Sequence, residues 1–184
     1  VSSNGEGRKK EREWNRRQPL MRPRRGILFA CLKRNLYKEI KVAQLSGYVS
    51  EVSAYHHGEA SLQSTIVGLA QDFVGSNNLN LLLPNGQFGT RIQGGHDCAS
   101  ARYIHTELNP IVAHLFPKAD LPLLTYNDDD GQLVEPTHYL PIIPLVLVNG
   151  MNGIGTGFST SIPKYSVKDV AENILKRLRG NVYG

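Results

Sequence analysis

The stretch from Gly94 to Leu108 reads GGHDCASARYIHTEL, and the pair Arg102–Tyr103 lies at its centre. From this pair onward the chain alternates with the two-residue period of a β-strand. One face of that strand is predicted to carry Ile104, Thr106 and Leu108. The opposite face is predicted to carry Tyr103, His105 and Glu107. The sequence therefore predicts a tyrosine at the mouth of a strand, with its phenol pointing outward and a helix beginning just beyond, at Asn109–Pro110.

A phenol beside a guanidinium is a candidate nucleophile. The phenol has an ordinary pKa of ~10, and arginine is always charged. The cation can therefore offset the charge that builds on phosphorus when the phenol attacks a phosphodiester. The alternative is that Tyr103 is one of the eight tyrosines that simply packs as a buried or interfacial aromatic.

The net charge of +5 is distributed unevenly along the 184 residues. From Val1 to Lys41 there are thirteen Lys and Arg against four Glu, whereas the rest of the chain has eight basic and twelve acidic residues. A basic leading segment predicts an anionic partner, with nucleic acid first, or else a solvated tail. Residues 1–23 show no apolar period, so we predict a basic leader without regular structure, whose RKKER and RPRR runs are compatible with a nuclear-import signal.

The rest of the composition is that of a soluble protein in a reducing compartment. Forty per cent of the residues are hydrophobic and twenty per cent charged. Cys31 and Cys98 have neither CxxC spacing nor an accompanying histidine cluster, so neither zinc nor a disulfide framework is indicated. No secretory signal is visible, and the apolar run Ile142–Val148 is far too short to span a bilayer. We therefore expect no membrane partner.

The first part of the chain is predicted to be a winged helix. Two helical apolar stripes are visible: Val42, Leu45, Val49 and Val52, and then Leu62, Ile66, Leu69, Ala70 and Phe73. A tight turn at Tyr55 to Glu59 joins them as a helix-turn-helix. A hairpin with strands at Leu79 to Leu83 and Gln87 to Ile92, around the turn Pro84-Asn85-Gly86, would be the wing.

The second part begins near Lys118 and has a different pattern. Asp128, Asp129 and Asp130 precede a glycine, which is typical of a hairpin turn, although three carboxylates could also serve as metal ligands. Leu145 to Val148 is predicted to be a buried strand. Ser166 and Asp169 form a capping box that opens a helix towards Gly180.

A glycine-rich segment, Gly153 to Gly157, holds one β-branched residue, Ile154, between glycines. An exposed and closely approachable backbone of this kind suits a wedge that enters between base pairs. The alternative is an ordinary glycine-rich loop with Ile154 buried.

Five stretches together identify a family. They are YHHGEASL from Tyr55, FVGSNNLNLL from Phe73, GQFGTR from Gly86, ARYIHTEL from Ala101, and PLVLVNG-x-x-GIGTGFST-x-IP from Pro144. In this order they resemble the breakage-reunion region of eukaryotic DNA topoisomerase II, a type IIA enzyme, from about Ile27 to Gly180. The eukaryotic branch is indicated because bacterial gyrase-type enzymes carry YHPHGD where this chain has YHHGE.

The resemblance implies an α+β fold with a winged-helix domain at residues 24–117 and the beginning of a tower domain, truncated, at 118–184. It implies that Tyr103 becomes linked to a DNA 5′-phosphate and that Arg102 contacts the scissile phosphate. It also implies that His56 and His57 assist, as a proton acceptor or as phosphate donors. Adjacent histidines are otherwise often plain surface residues.

The resemblance further implies DNA contacts by Arg25, Arg91 and His96, with Ile154 as an intercalating residue. The chain departs from the family at two of these places. Gly26 stands where relatives have a DNA-contacting lysine, and His96 stands where many have lysine. Both departures remove a cation from the expected DNA surface.

By resemblance, the full-length enzyme is a nuclear homodimer that cleaves and religates double-stranded DNA and uses Mg²⁺ and ATP, both bound by domains outside this chain. Within these residues we expect no metal ligands. The alternative is a catalytically incomplete winged-helix module that binds DNA without cutting it.

Overall fold

A computed structural model describes residues 21–55, 58–155 and 158–180. Most of the predicted leader lies outside this part, but helix α1 (Met21–Arg34) already begins within it. The remaining elements follow in chain order: β1 (Ile40–Lys41), α2 (Val42–Val52), α3 (Glu59–Ala70), β2 (His105–Thr106), α4 (Val112–Leu115), a 3₁₀ helix (Lys118–Leu123), β3 (Tyr126–Asp129), β4 (Gln132–Pro136), α5 (Leu145–Asn149), β5 (Met151–Gly155), β6 (Phe158–Ile162) and α6 (Val167–Leu178). Helices combined with small antiparallel sheets confirm the predicted α+β class.

Helices α1, α2 and α3 pack around one apolar core. Both predicted stripes face this core, and their buried members are Val42, Leu45, Val49, Val52, Leu62, Ile66, Leu69 and Ala70. Phe73 has the spacing of the second stripe, but α3 ends at Ala70, so this side chain packs from the following loop and is only half-buried. Because each fully buried aliphatic side chain stabilises the fold by ~1.5–3 kcal/mol, these stripes determine how the three helices pack.

The strand after Tyr103 is short but keeps the predicted alternation. Strand β2 pairs antiparallel with β1. The inward-facing residues Ile104, Thr106 and Leu108 are all buried. The Thr106 hydroxyl donates a hydrogen bond to the Leu83 carbonyl, 2.8 Å away, so this polar group is satisfied inside the core.

The predicted hairpin between Leu79 and Ile92 does not form. Leu82 and Asn85 instead bridge to Leu108 and His105, on the edge of β2 that β1 leaves open. The Leu83 N–H donates to the Glu107 carbonyl at 2.9 Å, and the Asn85 N–H donates to the His105 carbonyl at 3.1 Å. This pairing satisfies the open edge and buries Leu82, which a local hairpin would leave undone.

The Asn109–Pro110 start signal is confirmed in its cap and too long in its helix. The Asn109 side-chain oxygen accepts the Ile111 N–H at 3.1 Å. The helix that follows, α4, covers only Val112–Leu115 and stops before Phe116. Phe116 is buried against Tyr139, whose ring meets it edge-on at 5.4 Å between centroids.

The aspartate run is a hairpin turn, as predicted. Strands β3 and β4 pair on either side of it, and Asp130 and Gly131 both have positive φ, 52° and 83°. The Asp128 carboxylate accepts the Gly131 N–H at 2.8 Å. These geometries are those of a tight two-residue turn, which favours Asp-Gly.

The prediction of a buried strand at Leu145–Val148 was wrong. The segment is helix α5, and only Val148 in it is buried. Pro144 supplies the start of the helix, and its carbonyl accepts the N–H groups of Leu147 and Val148. An apolar run this short has the same pattern in a strand and in one helical turn, so the flanking proline decides.

Helix α6 opens at the predicted capping box, because the Ser166 hydroxyl oxygen accepts the Asp169 N–H at 3.5 Å. Of its apolar positions only Val170 is buried, whereas Leu178 is 78% exposed. Nowhere in residues 21–55, 58–155 and 158–180 is a helix long and apolar enough to cross a membrane.

Gly26 lies where α1 crosses the end of α2. A Cβ at this position would lie 2.9 Å from the hydroxyl oxygen of Ser53, which itself donates to the Val49 carbonyl at 2.7 Å. The glycine therefore allows the two helices to approach. The family's lysine at this position requires a different arrangement of Ser53.

We predict that Gly26→Ala lowers the free energy of unfolding by about 1–3 kcal/mol, because the added methyl group displaces the Ser53 hydroxyl from its bond. Urea unfolding of the 184-residue chain measures this. The matched control is Gly47→Ala in α2, where a Cβ meets nothing within 4 Å. There the helix should gain about 0.5–1 kcal/mol. Equal effects at the two glycines would contradict the close approach at Gly26.

Candidate active site

The segment that carries Tyr103 is held by backbone bonds on both sides. On one side, the N–H groups of Val42 and Ala43 at the start of α2 donate to the carbonyls of Ile104 and Ala101, at 3.1 and 3.0 Å. On the other side lie the bridges from Leu82 and Asn85. The tyrosine backbone is therefore set by the core of the winged helix.

Tyr103 and Arg102 both point into solvent. The Tyr103 N–H closes a turn on the Ser100 carbonyl at 2.9 Å, and the side chain is 78% exposed, directly beside Ile104, which is 1% exposed. Arg102 is exposed as well. In the part of the chain that the structure describes, no hydrogen bond or ion pair engages either side chain. The pair is thus available to a ligand that covers this surface.

Arg91 and His96 are exposed on a loop next to this segment, which we call the wing loop and define as residues 87–97. The loop is closed by Asp97, whose carboxylate accepts the Thr90 N–H and the Thr90 hydroxyl, both at 2.8 Å. These two bonds, the backbone one first, lower the pKa of Asp97 below its ordinary value of 3.8, and His96 adds to the shift. The carboxylate therefore stays charged, with its bonds to Thr90 intact, at neutral pH.

The backbones of the wing loop cross at two glycines. Gly89 and Gly95 both have positive φ, 99° and 83°. A Cβ on Gly89 would lie 2.5 Å from the Cα of Gly95, so no side chain fits there. Gln71 anchors the crossing to the end of α3, because its amide nitrogen donates to the Phe88 carbonyl at 2.8 Å.

His56 and His57 lie outside the described residues, but the two ends of their turn are described. Tyr55 is buried, and its hydroxyl donates to the Gly58 carbonyl at 3.3 Å. The Ala54 N–H donates at 3.0 Å to the carboxylate of Glu135, a buried residue of β4. Strand β4 therefore helps to fix the end of α2 that leads into the histidines.

Arg25 lies at the same junction. Its guanidinium donates to the Thr137 carbonyl, just beyond β4. The structure thus gives Arg25 a partner within the protein, away from the Arg102–Tyr103 surface of the β1–β2 ribbon.

Ile154 lies in the β5–β6 hairpin, where its backbone pairs with Ser159. Its side chain is outside the described part. The base of the hairpin is joined to the loop after α3 by what we call the asparagine clasp, formed by Asn78 and Asn149. The Asn149 amide accepts the Leu79 N–H at 2.9 Å and donates to the Leu79 carbonyl at 2.8 Å. The Asn78 amide donates to the Val148 carbonyl at 2.9 Å.

Lys164, at the other end of the hairpin, reinforces the clasp. Its ammonium donates to the carbonyls of Gly75 and Ser76, the first at 2.6 Å. Sequence reasoning missed all three of these residues, together with Asp97, Gln71 and Glu135. The available signal was the asparagines inside the FVGSNNLNLL and PLVLVNG motifs, which have no role in an apolar core.

Metal ligands are not assembled by this part of the chain. Residues 21–55, 58–155 and 158–180 contain no group of three or more His, Cys, Asp or Glu that could hold an ion. The three consecutive aspartates are spread around the β3–β4 turn. The residues present therefore do not fit a Mg²⁺ site, and no chemical step through a metal is derived from them.

The family model for the A-type polypeptide of DNA gyrase/topoisomerase IV matches residues 21–183, and the chain belongs to this family. Among curated relatives, DNA topoisomerase 2 of Arabidopsis thaliana is 62% identical over 156 residues, which are 85% of this chain and 11% of that protein. DNA topoisomerase 2 of Drosophila melanogaster is 60% identical over the same shares of both chains. The resemblance to eukaryotic topoisomerase II is thereby confirmed, and the chain spans about a tenth of the length of these relatives.

A solved structure supports the fold as well. The crystal structure of the Plasmodium falciparum topoisomerase II DNA-binding, cleavage and re-ligation domain matches with a TM-score of 0.84 and 52% sequence identity. The match covers 86% of this chain and 22% of that one. The architecture described above is therefore that of part of this domain.

We predict that Asn149→Ala lowers the free energy of unfolding by about 1–3 kcal/mol, because it leaves a buried backbone N–H and carbonyl of Leu79 without partners. Hydrogen exchange at the Leu79 amide should accelerate along with it. The matched control is Asn152→Ala, which removes an exposed bond to Ser161 inside the hairpin and should change stability by no more than about 0.5 kcal/mol. A control that matched the Asn149 variant would show that the clasp holds nothing.

We predict that the wing loop loosens in acid through Asp97. The folded pKa lies below the unfolded one, so the carboxylate's contribution is present above the ordinary value of 3.8 and is lost as the pH falls through the folded pKa. A nuclear magnetic resonance titration of the Thr90 amide should follow that transition. Asp97→Asn should abolish the titration, and Asp130→Asn in the β3–β4 turn should leave it unchanged. A Thr90 titration that survived Asp97→Asn would refute the assignment.

Proposed function

We propose that this chain is the tyrosine-bearing part of a type II DNA topoisomerase that cuts double-stranded DNA transiently and rejoins it. The observation that carries the proposal is the exposed Arg102–Tyr103 pair, fixed at its backbone by α2 and unengaged in the described structure. Relatives named DNA topoisomerase 2 and the solved cleavage and re-ligation domain support it.

In the proposed reaction, the Tyr103 oxygen attacks a DNA phosphorus. A phenolate oxygen–phosphorus bond forms, the bond from phosphorus to the 3′-oxygen breaks, and the phenolic proton leaves to a base. The new phosphodiester preserves the energy of the old one, so the 3′-oxygen can reverse the step without an external energy source. The guanidinium of Arg102 stabilises the charge on the phosphorane. His56 and His57 are proposed to accept the phenolic proton or to donate to phosphate.

The proposed DNA surface combines backbone contacts with deformation of the duplex. Arg91 and His96 project from the wing loop, and both are exposed, as phosphate contacts must be. Arg25 is proposed as a further phosphate contact, made from the junction where it also bonds Thr137. Ile154, between glycines of the β5–β6 hairpin, is proposed as the wedge that bends the duplex.

Other features are proposed for the full-length protein alone. Mg²⁺ and ATP would be bound by domains outside this chain, and the Mg²⁺ would stabilise the 3′-oxygen leaving group when bound. The enzyme would work as a nuclear homodimer, with each protomer cutting one strand. The family resemblance supports these proposals.

We predict that Tyr103→Phe in the full-length protein abolishes the covalent protein–DNA adduct and leaves DNA affinity within about twofold, because the change removes one exposed oxygen and hardly any packing. Detergent-trapped adduct on labelled duplex DNA measures the first, and filter binding the second. Arg102→Ala should lower adduct formation about 10²- to 10³-fold, the loss typical of one transition-state donor.

The matched control is Tyr165→Phe, at another exposed tyrosine, which should leave adduct formation intact. Adduct that persisted in Tyr103→Phe would rule out Tyr103 as nucleophile. DNA binding without adduct in the unaltered full-length protein would favour the catalytically incomplete winged-helix module instead.

A further inference from the structure

The pairing of β1 with β2 places a lysine on the face of the ribbon that carries the tyrosine. Lys41 is the register partner of His105, and Ile40 is the partner of Thr106. Thr106 is buried, so the side chains at Lys41 and His105 face the other way, towards solvent. Tyr103 precedes His105 by two residues and shares that outward face.

The antiparallel approach continues past the two strands. The Val42 N–H bonds the Ile104 carbonyl, and the Ala43 N–H bonds the Ala101 carbonyl. Lys41 is therefore the diagonal neighbour of Tyr103. Diagonal neighbours in such a pair are roughly 7–8 Å apart, which is within reach of long side chains.

The Lys41 ammonium is not used by the protein. The residue is exposed, and within the described ranges no hydrogen bond or ion pair engages it. The acidic residue nearest to it on the same strand, Glu39, already accepts a hydrogen bond from the Asn85 amide at 2.9 Å. A negatively charged ligand on this face would thus meet a free cation.

Lys41 is also an unfavourable residue for its local position. It is the N-cap of α2 and makes no side-chain capping bond. Helix N-caps favour Ser, Thr, Asp and Asn, and a cation is repelled by the positive end of the helix dipole. A residue that breaks a local rule in this way is expected where function requires it. The same dipole that disfavours lysine favours a bound anion.

We propose that Lys41 binds a backbone phosphate of the DNA strand that Tyr103 attacks. With Arg102 it forms a pair of cations on either side of the nucleophile, one from the tyrosine's own segment and one from the start of α2. His105, on the same face, lies between Lys41 and the Asn85 bridge and borders this site. The inference rests on the proposed function and adds a residue to that site.

The test uses the full-length protein with Lys41→Ser, Lys41→Arg and the control Lys38→Ala, an exposed lysine before β1. Serine is a better N-cap than lysine, so Lys41→Ser should raise the thermal midpoint while lowering adduct formation about tenfold or more. The slope of log affinity against log salt should fall by about one, the change for a lost phosphate contact. Lys41→Arg should retain most of the adduct, and Lys38→Ala should retain all of it.

Stability and activity changing in opposite directions is the result that a purely structural lysine would not give. Unchanged adduct formation and salt slope in Lys41→Ser, with Tyr103→Phe inactive, would overturn this inference and leave the proposed function standing. Adduct that persists in Tyr103→Phe would overturn the proposed function itself. A loss in Lys38→Ala equal to that in Lys41→Ser would assign the effect to general charge and overturn the specific site.

Discussion

The burial of Ile104, Thr106 and Leu108 is the constraint on which the rest of the structure depends. These alternating side chains enter the core between the start of α2 and Leu82, and the Thr106 hydroxyl is satisfied by the Leu83 carbonyl. A strand has a period of two, so the same burial forces the residues between them to face solvent. A slip of one residue would place the tyrosine in the core and leave three buried positions empty. The hydrophobic core thereby specifies the exposure of the nucleophile.

The second part of the chain is held to the winged helix mainly by polar groups that reach backbone atoms. Glu135 bonds the Ala54 N–H, and Asn149 bonds both backbone groups of Leu79. Apolar packing tolerates sliding, whereas a bidentate amide bond has one register, since a shift leaves buried groups unpaired. The consequence is a fixed distance between the tyrosine segment and the base of the β5–β6 hairpin, and two sites that act on one duplex need that distance fixed.

Sequence reasoning succeeded where burial imposes a period. The stripes of α2 and α3, the alternation after Tyr103 and the turn at Asp130 each follow from local physics and could be predicted. It failed for Leu145–Val148, because one apolar turn has no period long enough to separate helix from strand. The hairpin expected at Leu79–Ile92 failed for another reason: its strands compete with the open edge of β2, which is distant in sequence. The contacts of Asn149 and Glu135 connect residues 70 and 81 positions apart, and such pairs leave no trace in local pattern.

The exposure of the site also determines when its charges become effective. Two unit charges 4 Å apart interact by about 1 kcal/mol in bulk water and by about 4 kcal/mol at the effective dielectric constant of a protein surface. Tyr103, Arg102 and Lys41 all face water in the free chain, so their mutual influence is weak there. A duplex laid across this face excludes that water and brings its own phosphates, which raises each interaction at the moment when the phosphorus is in place. The same residues are therefore poorly reactive towards solvent and reactive towards bound DNA, which suits a nucleophile that has to remain intact between successive cuts.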